Sequence, residues 1–146
     1  VGENLYMDLD VVILKNIDEM AKFGKVDTFG AIHDFTGLDG INSSIMKFNN
    51  TTMTPAVWDR YYEDRPRWRK HQGDQNVTYE FMKEHTELQY MPNQWSFSYK
   101  WFNRKEPRFS KTDWTFEKCS ESLVAVFHGQ PNPHESDIKW VVDNWK

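Results

Sequence analysis

The sequence predicts an α/β fold in which a mixed, mainly parallel sheet is flanked by helices. Residues 5–14 form a dense apolar run broken only by Asp8 and Asp10. That is the composition of a strand buried on both faces, and such strands belong to sheets covered by helices. Further strand-like runs then alternate with helix-start signals along the chain. The 146 residues suffice for one core, and seven Trp with ten Phe supply large buried area to a chain only 38% hydrophobic.

The elements follow in order. Residues 29–32 and 41–48 are the next strand candidates, separated by a turn-rich segment at 34–40. Thr54-Pro55 marks a helix start, because the hydroxyl can cap free amides and proline fits the first helical position. That helix continues over 56–63 and should stop before Pro66. Gly73-Asp74 is a second start, with Val77 and Phe81 four apart on one face of a helix reaching about residue 84. A short strand at 88–91 ends at Pro92, residues 95–118 are aromatic and charged without a clear period, 123–127 is the last strand, and 138–145 closes the chain as a helix.

The net charge of −4 provides no global positive field for nucleic acid or an anionic membrane. No apolar run approaches the roughly 20 residues that span a bilayer. The N-terminus lacks a signal-peptide pattern and the single cysteine, Cys119, can close no internal disulfide, so a reducing, cytoplasmic compartment is expected. Arg65, Arg67, Arg69 and Lys70 surround Trp68, but with Glu63, Asp64 and Asp74 nearby they read as a self-paired, solvated surface.

Asp8 and Asp10 are two apart, so in an extended strand they leave the same face and can reach one hard cation. Buried unpaired within so apolar a run they would be costly, which argues for an exposed strand end or for neutralisation. His128 follows another apolar strand, and an O,O,N set suits Mn²⁺ better than Ca²⁺. Asp74 and Gln75 stand at a helix start, where both can face a cleft or Asp74 can simply cap. Asn42 is polar where a strand expects an apolar residue, so it is either hydrogen-bonded in the core or aimed at a ligand.

Four separated segments carry a resemblance. The Asp8-Leu9-Asp10 run with its flanks, the Asn42-Ser43-Ser44 strand, Asp74-Gln75 and the closing Phe127-His128-Gly129 with Pro133 resemble, in this order, the nucleotide-sugar glycosyltransferases of the GT-A fold. The group most resembled is family 8, with glycogenin and the bacterial galactosyltransferases. The resemblance implies the C-terminal part of a GT-A-like (Rossmann-like) fold, residues 1–146 being a single partial domain that lacks the first nucleoside-binding strands. It implies hexosyl transfer from a nucleoside-diphosphate sugar to a hydroxyl acceptor with retained anomeric configuration. Asp8, Asp10 and His128 would hold Mn²⁺ (or Mg²⁺), Asn42, Ser43 and Gly129 would bind the donor, and Asp74 and Gln75 would act at the transferred sugar.

The chain departs from that pattern at Ser44, where the family has Gly, and at Asn132 and His134, where Lys and Trp are usual. A phosphate-contacting cation would then have to come from Lys139 or an arginine. Two other readings compete. A haloacid-dehalogenase-type phosphohydrolase also opens on an Asp-x-Asp strand, with the first carboxylate as nucleophile, but normally continues with residues other than Val11-Val12. A carbohydrate-binding α/β fragment would stack its aromatics on sugars without turnover.

Overall fold

The apolar run of residues 5–14 does not form one strand. The computed structural model describes residues 2–36, 39–49, 53–70, 73–102 and 121–145. In it the run splits into β1 (Glu3–Met7) and β2 (Val11–Ile13), with Asp8, Leu9 and Asp10 turning between them. Two carboxylates cannot be carried cheaply through an apolar layer, so the chain leaves one sheet and enters another where they stand. The amide of Val11 closes the turn on the Asp8 carbonyl at 3.3 Å.

The first sheet has the order β1, β4 (Ile41–Asn49), β3 (Thr28–His33), β5 (Glu87–Tyr90); the second runs β2, β7 (Val124–Val126), β6 (Ser96–Ser98). The helices are α1 (Asp18–Ala21), α2 (Met53–Glu63), α3 (Arg65–Trp68), α4 (Asp74–His85), α5 (Tyr99–Phe102) and α6 (Lys139–Asn144). The mixed α/β class is the expected one. The balance of directions differs, because β3–β5 and β6–β7 are parallel while β1–β4, β3–β4 and β2–β7 are antiparallel. Splitting the first run gives two strands, each running against its partner. Cys119 and the aromatic stretch from residue 103 onward lie outside the described residues.

Alternation along the strands builds four layers. Phe29, Ala31 and Ile41 pack with Tyr79, Phe81 and Met82 of α4 on one side of the first sheet. Ile32 and Ile45 point the other way, against Val11, Val124 and Val126 of the second sheet. Val12, Ala125 and Phe127 then face Val141 of α6. β3 and β4 are therefore the strands buried on both faces, whereas β1 is a half-exposed edge. Pro66 falls where expected: α2 ends at Glu63, and α3 restarts under the Asp64 side chain, which accepts from the Arg67 amide at 3.2 Å. Of the basic cluster, Arg67 pairs with Glu84 at 2.7 Å and the Arg65 guanidinium lies over the Tyr62 ring at 4.1 Å.

One irregularity shapes the site. Ala31 pairs with Met46 but Ile32 pairs with Asn42, so residues 43–45 of β4 have no partner in β3. Such breaks in a ladder free backbone groups for other partners.

At the ends of β3 and β5, His33 and Tyr90 stack at 3.8 Å with their planes 7° apart. Burial lowers the His33 pKa below its ordinary 6.5. Burial, then the charges of Tyr79 and Asp39, push the Tyr90 hydroxyl up from 10 to about 12. A raised phenol contributes stability below pH 10 and loses it as the pH rises from 10 to about 12. The lowered histidine makes stability fall as pH drops below 6.5. Urea midpoints across this range should therefore decline at both ends, and Tyr90→Phe should lessen the alkaline decline while leaving the acid one unchanged.

Candidate functional site

The turn between the two sheets concentrates negative charge. The Asp8 amide donates to the carbonyl of Ser44, in the unpaired part of β4, at 2.9 Å. The Tyr6 hydroxyl donates to Asp8 Oδ1 at 2.6 Å. That bond, with burial and the charges of Asp8, Asp74 and Asp10, pushes the phenol up to about 12, so the hydroxyl stays a donor at any ordinary pH. Asp74 is thus near enough to act on the same phenol as the Asp8 and Asp10 pair. Asp10 Oδ1 is buried with no hydrogen-bond partner, alone in this among the described residues. Burial first, then the Asp8 charge, raises the Asp10 pKa. Both observations describe a carboxylate set lacking a counter-charge.

The freed segment of β4 binds α4. Ser43 donates its amide to Gln75 Oε1 at 3.3 Å, and Gln75 Nε2 donates to Asp34 Oδ2 at 2.9 Å. One amide side chain therefore ties β4, α4 and the end of β3 together. Asp74 does not supply the N-cap of α4. Gly73 does, at φ 98°, a conformation that favours glycine, and Asp74 occupies the first turn with Oδ1 accepting the Gln75 amide at 2.9 Å. Asn42 is buried, and its Oδ1 accepts the Ser44 amide at 3.0 Å. Of its two possible roles, the core hydrogen bond is the one observed. Asp34 was not among the residues singled out from the sequence. Its signal would have been a carboxylate directly after a strand and before a turn, as at Asp8.

The closing segment lies beside the turn. The Phe127 amide donates to the Asp10 carbonyl at 3.0 Å, which brings His128, the next residue, to the same edge. The imidazole bonds Ser98 through Nε2 and stacks on Phe35 at 5.7 Å. Among the described residues, no group of three or more His, Cys, Asp or Glu is assembled to hold a metal ion. Asp8, Asp10 and His128 share one edge without forming a ready-made ligand cluster. Gly129 takes φ 82°, and a Cβ there would stand 4.0 Å from Lys100 Nζ. Lys139 instead pairs with Asp143 on its own helix at 2.6 Å and is highly exposed. Among the described residues Lys100, from α5, thus comes close to the closing segment, whereas Lys139, one of the expected sources of a cation, is engaged on its own helix.

Asp8 and Asp10 fit a divalent cation chemically: two oxygen-donor side chains, one with an oxygen left unsatisfied in a partly buried position. No helix among the described residues is long and apolar enough to cross a membrane.

The fold is GT-A-like, similar to that of solved glycosyltransferases. The chain is similar to the glycosyltransferase GlyE of Streptococcus pneumoniae TIGR4, with a TM-score of 0.71 at 16% identity, over 99% of this chain and 39% of that one. It is also similar to the galactosyltransferase LgtC, solved in complex with donor and acceptor sugar analogs, with a TM-score of 0.58 at 15% identity, over 94% of this chain and 56% of that one. The chain thus spans well under two thirds of the length of either. No family model matches the sequence, and no curated protein does.

Gln75→Glu should expose the role of the amide bridge. At pH 7 a second carboxylate would face Asp34 with no donor between them, for an expected loss of about 1–3 kcal/mol. Lowering the pH to about 4 partly protonates the new side chain, which can then donate back to Asp34 and recover part of the loss relative to wild type. Urea unfolding of both proteins at the two pH values measures this; equal deficits at both would remove the bridge from the argument.

Proposed function

We propose that the protein transfers a hexosyl group from a nucleoside-diphosphate sugar to a hydroxyl acceptor, with Mn²⁺ (or Mg²⁺) held at Asp8 and Asp10. The observation that carries this reading is the orphaned Oδ1 of Asp10 beside a second carboxylate, at the sheet junction of a glycosyltransferase-like fold. When bound, the ion supplies Lewis-acid neutralisation of charge on the departing diphosphate. His128 would complete the donor set on giving up its Ser98 bond, and Lys100 would offer an ammonium to the phosphates from beside Gly129.

The remaining residues orient. Tyr6 holds one oxygen of Asp8 and so fixes the carboxylate's rotation. Gln75 fixes Asp34 and the Ser43 backbone, leaving Asp74 at the helix start to meet the transferred sugar. Ser43 and Gly129 flank the donor, and Asn42 holds the strand beside them through its bond to the Ser44 amide. The donor and acceptor sugar analogs bound by LgtC support this pairing of substrates. Tyr6 also weakens the phosphohydrolase alternative, because its hydroxyl occupies an oxygen of the carboxylate that would attack phosphorus.

Asp10→Asn in the full chain tests the reading. Loss of a ligand worth several kcal/mol of transition-state stabilisation should lower metal-dependent transfer by roughly two orders of magnitude. Mn²⁺ at 100 times its dissociation constant should stabilise the wild type by about 2.7 kcal/mol and the variant by much less. The metal-free variant should be no less stable than wild type, because an unpaired charge has been removed. Undiminished metal-dependent transfer in Asp10→Asn would sink the assignment.

A further inference from the structure

We propose that the groove between α2 and α4, opening at Asp74, is the acceptor subsite, and that it binds a neutral saccharide with Trp58 as its stacking platform. The inference rests on the glycosyl-transfer reading and names the substrate class that brings the hydroxyl.

Trp58 is 60% exposed, and it is the only exposed tryptophan among those described. By contrast Trp68, ten residues on, is buried with its indole N–H on the Arg60 carbonyl at 2.9 Å. The exposed ring is braced rather than loose. Tyr62 meets it edge-on at 4.7 Å, Tyr61 lies stacked at 6.3 Å, and the two tyrosines meet at right angles at 5.7 Å. A fixed, solvent-facing indole offers a flat apolar surface with little rotamer freedom left to lose on binding.

The groove beside it has a volume of about 410 Å³, within the size range of small-molecule sites. Val57, Trp58 and Tyr61 form one wall, and Val77, Thr78 and Asp74 the other. Apolar surface and hydrogen-bonding groups are therefore interleaved, as a pyranose requires: C–H bonds on one ring face, hydroxyls around the rim. Asp74 links the groove to the candidate active site, since it lines the groove, its charge acts on Tyr6, and the next residue, Gln75, bonds Asp34 and Ser43.

Charge selects among occupants. Arg69 and Asp74, one charge of each sign, line the groove itself, and Asp59 and Glu63 border a second hollow beside Trp58. With its own charges balanced, the groove gives a strongly charged headgroup of either sign no net attraction. A wholly apolar partner would bury both charges without hydrogen bonds. Hydroxyls can donate to the carboxylate and accept from the guanidinium at no such cost.

The test is titration of the full chain with methyl glycosides of glucose, galactose and N-acetylglucosamine, read by the indole N–H resonances. The Trp58 signal is assigned by its loss in Trp58→Phe. At least one glycoside should shift it, and in the variants, where binding is measured by calorimetry, Trp58→Ala should weaken it at least tenfold while Trp58→Phe keeps most of it. Thr78→Arg, which fills the groove and leaves the platform intact, should weaken binding as well and decides the matter if Trp58→Ala fails to fold. Glycoside binding undiminished in these variants, or shifts confined to other residues, overturns the subsite. Mn²⁺-dependent hydrolysis of nucleotide sugars by unmutated protein separates the two proposals. Hydrolysis without any glycoside at Trp58 removes the subsite alone, whereas glycoside at Trp58 without nucleotide-sugar binding or hydrolysis removes glycosyl transfer and leaves a carbohydrate-binding surface.

Discussion

The charge repulsion at Asp8 and Asp10 organises the rest of the molecule. Two carboxylates in a run of ten otherwise apolar residues force the chain out of the first sheet after Met7 and into the second at Val11. Once the run is divided, the two sheets must pack face to face, with Val11 on one side of β2 and Val12 on the other serving separate cores. The same turn takes its backbone bonds from Ser44 on β4 and from the amide of Phe127 just beyond β7. Residues distant in sequence meet there because both sheets end at the turn. The site is therefore a consequence of the packing, and the unsatisfied Asp10 oxygen is a cost the fold retains at that junction.

Most elements were legible because their signals are local. The Gly73 helix start, the break before Pro66, and the strands at residues 29–32, 41–48 and 123–127 all depend on residue type within a few positions. The division of residues 5–14 was less legible, since periodicity alone cannot distinguish one strand crossing a buried layer from two strands meeting at its edge. The energetic argument against burying Asp8 and Asp10 pointed to the answer, but a strand end was the expected remedy and a change of sheet was the actual one. Strand direction was the other gap. It depends on which strands become neighbours, and β1 reaches β4 across more than thirty residues.

The site was legible in its residues more than in its bonds. Asp74 and Gln75 stand together at a helix start as expected, yet the cap is Gly73, and Gln75 works as a tie between Asp34 and Ser43. That tie exists because β4 loses its β3 partner over residues 43–45, an irregularity with no composition signature. Lys100 was missed for a similar reason. Sequence position favoured Lys139, near the closing segment, but helical spacing delivers Lys139 to Asp143, and α5, directly after β6, carries Lys100 to Gly129 instead.

The two ends of the candidate site follow different physical strategies. Around Asp8, Asp34 and Gln75 each polar group has a defined partner or, at Asp10, a defined lack of one, which suits recognition of a charged ligand whose atoms must be placed closely. Around Trp58 the surface is aromatic, exposed and sparsely polar, which suits a ligand held by area and by a few hydroxyls. An enzyme joining a diphosphate-linked sugar to a neutral hydroxyl needs both kinds of surface, adjacent but chemically distinct. Asp74 lies where they meet, close enough to the carboxylate pair to act on Tyr6 and open to the groove on its other side. Its position at the first turn of α4 keeps that carboxylate fixed to a rigid element between the two surfaces.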